Sequence, residues 1–91
     1  METKTSIAES VNISISPNPA SEVVNIDVQQ NYEQSFDLEV YNLHGQRIQF
    51  IPSVQDNNLK LDISTWNAGT YLLRFKVENK VFTKRLIVTK R

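Results

Sequence analysis

From Val11 onward, apolar residues return at every second position in short runs, and clusters of Pro, Asn, Gly and Ser separate the runs. That period belongs to strands with one face buried and one wet, the pattern of an antiparallel sheet, and no stretch reads as a helix. Val11, Ile13 and Ile15 alternate with Asn12 and Ser14 as a first strand, stopped by Ser16-Pro17-Asn18-Pro19-Ala20-Ser21, whose prolines cannot donate to a central ladder. Val24, Ile26 and Val28 make a second strand. After the polar stretch Gln29 to Ser35, a third puts Phe36, Leu38 and Val40 on one face and Asp37, Glu39 and Tyr41 on the other. A reversal at Asn42-Leu43-His44-Gly45-Gln46, with Gly45 free to take positive φ, leads to a fourth strand through Ile48 and Phe50 that Pro52 is expected to end.

The polar loop from Ser53 to Asn57 precedes a fifth strand, in which Leu59, Leu61 and Ile63 alternate with Lys60 and Asp62. Ser64-Thr65-Trp66-Asn67-Ala68-Gly69 turns into a sixth, with Tyr71, Leu73, Phe75 and Val77 as its inward stripe and Gly69 as a hinge. The seventh runs from Val81 to Val88. Its inward set is Phe82, Leu86 and Val88, and Lys84 falls on the same face, which implies an edge position, a bulge or a salt bridge. Seven short antiparallel strands predict an all-β fold, a seven-stranded immunoglobulin/fibronectin-like β-sandwich. Tyr71, just inside the strand after the corner, is placed to hydrogen-bond back to the corner backbone as tyrosines of such sandwiches do.

With 91 residues there is material for one core. Residues 1–10 form a polar lead, expected to be a linker from an upstream segment, and residues 11–91 form the domain. Met1-Glu-Thr-Lys-Thr-Ser lacks the apolar centre of a signal peptide, and no run is long enough to span a bilayer as a helix. Charge then changes the picture. The formal net charge of zero conceals a segment from Thr70 to Arg91 with seven basic residues and one acidic, +6, and a preceding segment at −6. Such asymmetry points to a docking surface or to internal pairing, for example between Asp37, Glu39 or Glu22 and the basic final hairpin. A chain expected to end on a β-branched, basic strand also offers that end to anything that reads C-termini.

Candidate chemistry is sparse. The chain has no cysteine, hence no disulfide, thiolate nucleophile or zinc-thiolate site. His44 is the single histidine and sits in a turn with no neighbouring acid, and no serine stands in a nucleophile elbow, so no catalytic residue is assigned. Asp56-Asn57-Asn58 lacks the spaced acids of a calcium loop, and the two glycines form no phosphate cradle, so neither metal nor cofactor is expected. Phe75, Tyr71 and Phe82 alternate onto the buried face and are not available to stack on bases, which argues against nucleic acid. Trp66 and Tyr41 leave room for carbohydrate recognition if they are surface rings; corner packing of Trp66 is the competing expectation.

Three blocks in fixed order carry a resemblance: Ser16-Pro17-Asn18-Pro19-Ala20, Asn67-Ala68-Gly69-Thr70-Tyr71-Leu72-Leu73-Arg74-Phe75, and Phe82-Thr83-Lys84-Arg85-Leu86-Ile87-Val88-Thr89-Lys90-Arg91. Together with Val40 to Ile48 and Leu59 to Ser64, they resemble the type A C-terminal sorting domain of the type IX (Por) secretion system of Bacteroidota. The resemblance implies a non-catalytic signal at the end of a larger exported cargo. Its partners would be the outer-membrane translocon with its shuttle and sortase proteins. The route would run through the periplasm to the outer membrane, cell surface or medium, with cleavage within Met1 to Ser10. It also implies a recognition motif of Pro17, Asn18, Pro19, Ala20, Gly69, Thr70, Tyr71, Leu72, Leu73, Lys84, Arg85, Leu86, Val88, Lys90 and Arg91. The rival is a fibronectin-like adhesive or carbohydrate-binding module of a secreted protein, with its function in loops and exposed rings.

Overall fold

The computed structural model describes residues 11–29 and 35–90. These form seven β-strands and no helix: β1 (Asn12–Ser16), β2 (Val23–Gln29), β3 (Phe36–Asn42), β4 (Arg47–Val54), β5 (Asn58–Asp62), β6 (Gly69–Val77) and β7 (Lys80–Val88). Two antiparallel sheets result, a three-stranded one in the order β1-β2-β5 and a four-stranded one in the order β4-β3-β6-β7. The expected lead at Met1 to Ser10, most of the polar stretch before β3, and Arg91 lie outside the described residues.

Alternation decides which face each strand buries. Val24, Ile26 and Val28 of central β2 are sealed from solvent against Phe36, Leu38 and Val40 of β3 and Leu73, Phe75 and Leu86 of the final hairpin. Phe36 and Phe75 meet with ring centroids 5.8 Å apart in a tilted pair. Each fully buried large side chain contributes about 1.5–3 kcal/mol by leaving water, so this layer supplies most of the drive to fold. Trp66 is half-buried against the same core.

β4 departs from the simple alternation. It continues through Pro52 to Val54 instead of stopping there, and Ile48 and Phe50 are exposed while Ile51 and Val54 face the core. Two register shifts explain this: Leu38 pairs with Ile51 but Phe36 with Val54, and Val40 pairs with Gln49 but Tyr41 with Arg47. Each shift inserts an extra β4 residue and so exchanges the faces of the residues beyond it. Pro52 is tolerated because β4 is an edge strand, and the bulge is pinned where Ser53, at φ 53°, donates its N–H to Asp37 Oδ1 at 2.9 Å.

The long β6-β7 hairpin, by contrast, stays in register from Gly69 opposite Val88 to Val77 opposite Lys80. Phe82, Lys84, Leu86 and Val88 therefore share its inward face. Lys84 is accommodated because β7 is an edge, where its ammonium reaches solvent. At the hairpin's start Gly69 adopts φ +152°, and a Cβ built there would meet nothing within 4 Å. A side chain at this position is opposed by backbone conformation alone. Gly69→Val is expected to lower unfolding stability by at least roughly 1 kcal/mol in a denaturant titration, and an unchanged midpoint would contradict that assignment.

Candidate functional site

The turn after β1 reaches across to the free edge of β7. Pro17 and Pro19 have no N–H to give, so Asn18 between them bonds through its side chain. Its Nδ2 donates to the Arg85 carbonyl at 2.8 Å and its Oδ1 accepts from the Ile87 N–H at 2.9 Å. The carboxamide thus does what a neighbouring strand's peptide unit would do. Two residues on, Ala20 N–H donates to the Ile87 carbonyl and Thr89 N–H donates to the Ala20 carbonyl, both at 2.9 Å, making a one-residue parallel bridge to Val88. Ala20 is buried beneath it.

Beyond β7, the Lys90 ammonium donates to the carbonyls of Ser21 at 3.0 Å, Ser64 at 2.9 Å and Ile63 at 3.4 Å, tying three segments at one end of the sandwich. Asp62 lies in the same corner and accepts the Ser64 N–H at 3.0 Å. Hydrogen bonds from Ser64, backbone first and then side chain, hold its carboxyl below the usual value of 3.8, and the Lys90 charge acts in the same direction.

The Gly69-to-Leu73 block enters from the other side of β7. Gly69 pairs with Val88, Thr70 with Ile87, Tyr71 with Leu86, Leu72 with Arg85 and Leu73 with Lys84. Tyr71 is buried, and its hydroxyl donates to the Asn67 carbonyl at 2.6 Å, the corner bond expected of it. Trp66 packs on the Tyr71 ring with centroids 4.9 Å apart, so it serves the corner more than it serves solvent.

The structure therefore gathers three blocks far apart in sequence around one strand, and it divides their residues by accessibility. Ala20, Tyr71, Leu73, Leu86 and Val88 are buried and shape the surface. Pro17, Asn18, Pro19, Gly69, Lys84, Arg85 and Lys90 are exposed, and Thr70 and Leu72 are half-buried. Arg91 lies outside the described residues.

On the outer face of the four-stranded sheet, Glu39 sits between two arginines. Its Oε2 accepts from Arg47 at 3.0 Å and its Oε1 lies 3.4 Å from Arg74 as an ion-pair partner without a hydrogen bond. Arg74 also lies over the Tyr41 ring at 5.8 Å and Arg47 over Phe50 at 4.8 Å. The expected pairing of an acidic strand with the basic hairpin thus occurs at Glu39–Arg74, while Asp37 directs Oδ1 to the Ser53 backbone. Sequence reasoning missed both guanidinium-on-ring contacts: Arg47 and Phe50 lie in bulged β4, which carries no periodic signal, and Arg74 and Tyr41 meet across the β3-β6 pairing.

His44 is exposed in its turn, where its N–H donates to Asn42 Oδ1. It lines a hollow of about 260 Å³ with Asn42, Leu43 and the stretch from Asn67 to Tyr71, and no carboxylate lies in that wall. Among the described residues, no group of three or more His, Cys, Asp or Glu side chains is placed to hold a metal ion, and no helix is long and apolar enough to cross a membrane.

One outcome follows from the clamp and one from the Lys90 corner. Asn18→Ala is expected to cost about 1 kcal/mol and to speed amide exchange at Ile87 while Thr89, bonded to Ala20, keeps its protection; equal protection of Ile87 in both proteins would contradict the bond. Because the folded-state pKa of Asp62 is depressed, its contribution is complete well above pH 3.8 and is lost as pH falls below that value toward the folded pKa. Asp62→Asn should therefore flatten the acid limb of a stability-against-pH curve, and parallel limbs for the two proteins would show that Asp62 is not linked to folding.

No curated protein matches this chain. A comparison with protein families matches residues 14–89 to the secretion system C-terminal sorting domain, a span that takes in all seven strands but the first two residues of β1 and contains the clamp from Asn18 to Thr89. The motifs gathered around β7 and a family match over most of the chain agree, and the chain belongs to the C-terminal sorting domains of type IX secretion, the signals that direct the proteins bearing them to export.

Proposed function

We propose that this chain is a non-catalytic address, read as a folded surface by the type IX machinery on behalf of a larger cargo joined to its N-terminal side. The observation that carries this is the clamp: residues around 18, 70 and 87 form one hydrogen-bonded unit, with Asn18, Lys84, Arg85 and Lys90 presented to solvent. A preformed surface of this kind lowers the ordering cost of docking, and its basic residues speed encounter with an acidic receptor in a salt-dependent way.

In this reading residues 11–91 are the sorting domain, an immunoglobulin/fibronectin-like sandwich, and residues 1–10 belong to the linker in which a sortase-type protease cuts. The partners are the outer-membrane translocon and its shuttle and sortase proteins. The cargo passes through the periplasm and is then attached to the cell surface or released. Pro17, Pro19, Lys84, Arg85 and Arg91 make the contacts, and Asn18, Ala20, Gly69, Thr70, Tyr71, Leu72, Leu73, Leu86, Val88 and Lys90 hold them in place. An adhesive module finds less support, because Trp66 is half-buried on Tyr71.

Deleting residues 88–91 from a cargo fusion removes the strand end that Ala20 and Lys90 tie down. The fusion is then expected to accumulate in the periplasm of a type IX-competent bacterium, and export at the undeleted level would refute the proposal.

A further inference from the structure

The sandwich has four strand edges, and they are not equally protected. β1 and β5 are five residues long, and β4 carries two bulges and Pro52. β7 is nine residues long, unbulged and free of proline, the kind of edge that invites another strand. Its outward peptide groups are those of alternate residues. Since Arg85 and Ile87 bond outward to Asn18 and Ala20, the N–H and C=O groups of Val81 and Thr83 face outward too. The clamp covers the half of the edge near Ile87. Among the described residues, nothing bonds the half at Val81 and Thr83.

Beside this bare half is a cleft of about 330 Å³ between the sheets, walled by Val11 to Ile13 of the first strand region and by Val81 to Lys84. Val81 is 47% exposed and Phe82 half-buried, so apolar side chains of an added strand have somewhere to rest. The flanking charges are Lys80, Lys84 and Arg85, all exposed, with Lys84 turned toward the cleft and Arg85 toward the outer face. The carboxylate nearest in sequence, Glu78, belongs to the turn before the strand. A second copy of this chain would set these cations against their own kind. An extended segment carrying carboxylates would match them on both faces.

We propose that the bare half of the β7 edge is a strand-addition site for an acidic, extended segment of a partner protein, with the Asn18–Ala20 clamp as the stop that fixes how far the added strand extends. This deepens the sorting reading by stating the chemistry of the receptor segment, and rests on that reading only for the partner's identity. The edge itself supplies main-chain affinity, and the Lys84–Arg85 pair supplies selectivity.

The test titrates the isotope-labelled 91-residue chain with a short capped peptide repeating Glu-Glu-Val-Val, which puts carboxylates on both faces of an added strand, and with its counterpart having lysine in place of glutamate. The acidic peptide is expected to shift the amide resonances of Val81, Thr83 and Arg85 saturably, and the lysine peptide to leave them unmoved. Thr83→Pro, which removes one outward N–H, should weaken the acidic peptide by roughly tenfold with thermal unfolding unchanged. Should that variant unfold, Lys84→Glu carries the test, and is expected to reverse the preference between the peptides. Equal responses to both peptides, or shifts confined to other strands, would overturn the proposal. Shifts at the edge that grow with protein concentration alone would assign it to a second copy and overturn it as well. The titration needs no secretion apparatus, so failure of a cargo fusion to leave the cell would count against the sorting reading and not against this edge.

Discussion

Two sheets held together by apolar side chains are attracted without direction, since burial rewards area and not alignment. Here alignment comes from a short directional contact. Asn18 and Ala20, in the turn that leaves β1 of the three-stranded sheet, make four hydrogen bonds to the main chain around Ile87 on the far edge of the four-stranded sheet. That contact fixes the position of β7 relative to β1. It also determines which stretch of the β7 edge is covered and which is open, and it holds the prolines and the basic residues in one frame.

The residues around this contact divide into a buried set and an exposed set. Buried Ala20, Tyr71, Leu86 and Val88 set the distance between the strands, and Asn18, Lys84, Arg85 and Lys90 are exposed around them. Charge is arranged to the same end. Glu39 is taken up by Arg47 and Arg74 on the outer face, and Lys90 is spent on carbonyl groups, while Lys84 and Arg85 remain accessible beside the open edge. The positive character of the final hairpin is therefore only partly consumed inside the molecule.

Period-two alternation made six of the strands legible, because each places its apolar residues on one face, with exposed Lys84 of β7 the one interruption anticipated. Tyr71 was legible as a corner residue because its partner, Asn67, is only four residues away. β4 was not, for a physical reason: two bulges exchange its faces twice, and an edge position excuses Pro52 from the ladder, so neither Ile48 and Phe50 nor the proline carries its usual meaning. The clamp was visible only as a motif. The bonds from Asn18 to Arg85 and Ile87 span more than sixty residues, and no local propensity encodes a side chain that substitutes for a strand at that separation. Family resemblance marked the residues, and hydrogen bonds gather the described ones around β7.

The central claim is that this folded surface is sufficient as an address. The most direct measurement places residues 11–91 behind an unrelated signal-peptide-bearing reporter and compares reporter outside the cell between a type IX-competent strain and one lacking the system. The account predicts reporter at the surface or in the medium of the competent strain alone. Periplasmic retention in both strains, with the domain folded, would contradict it.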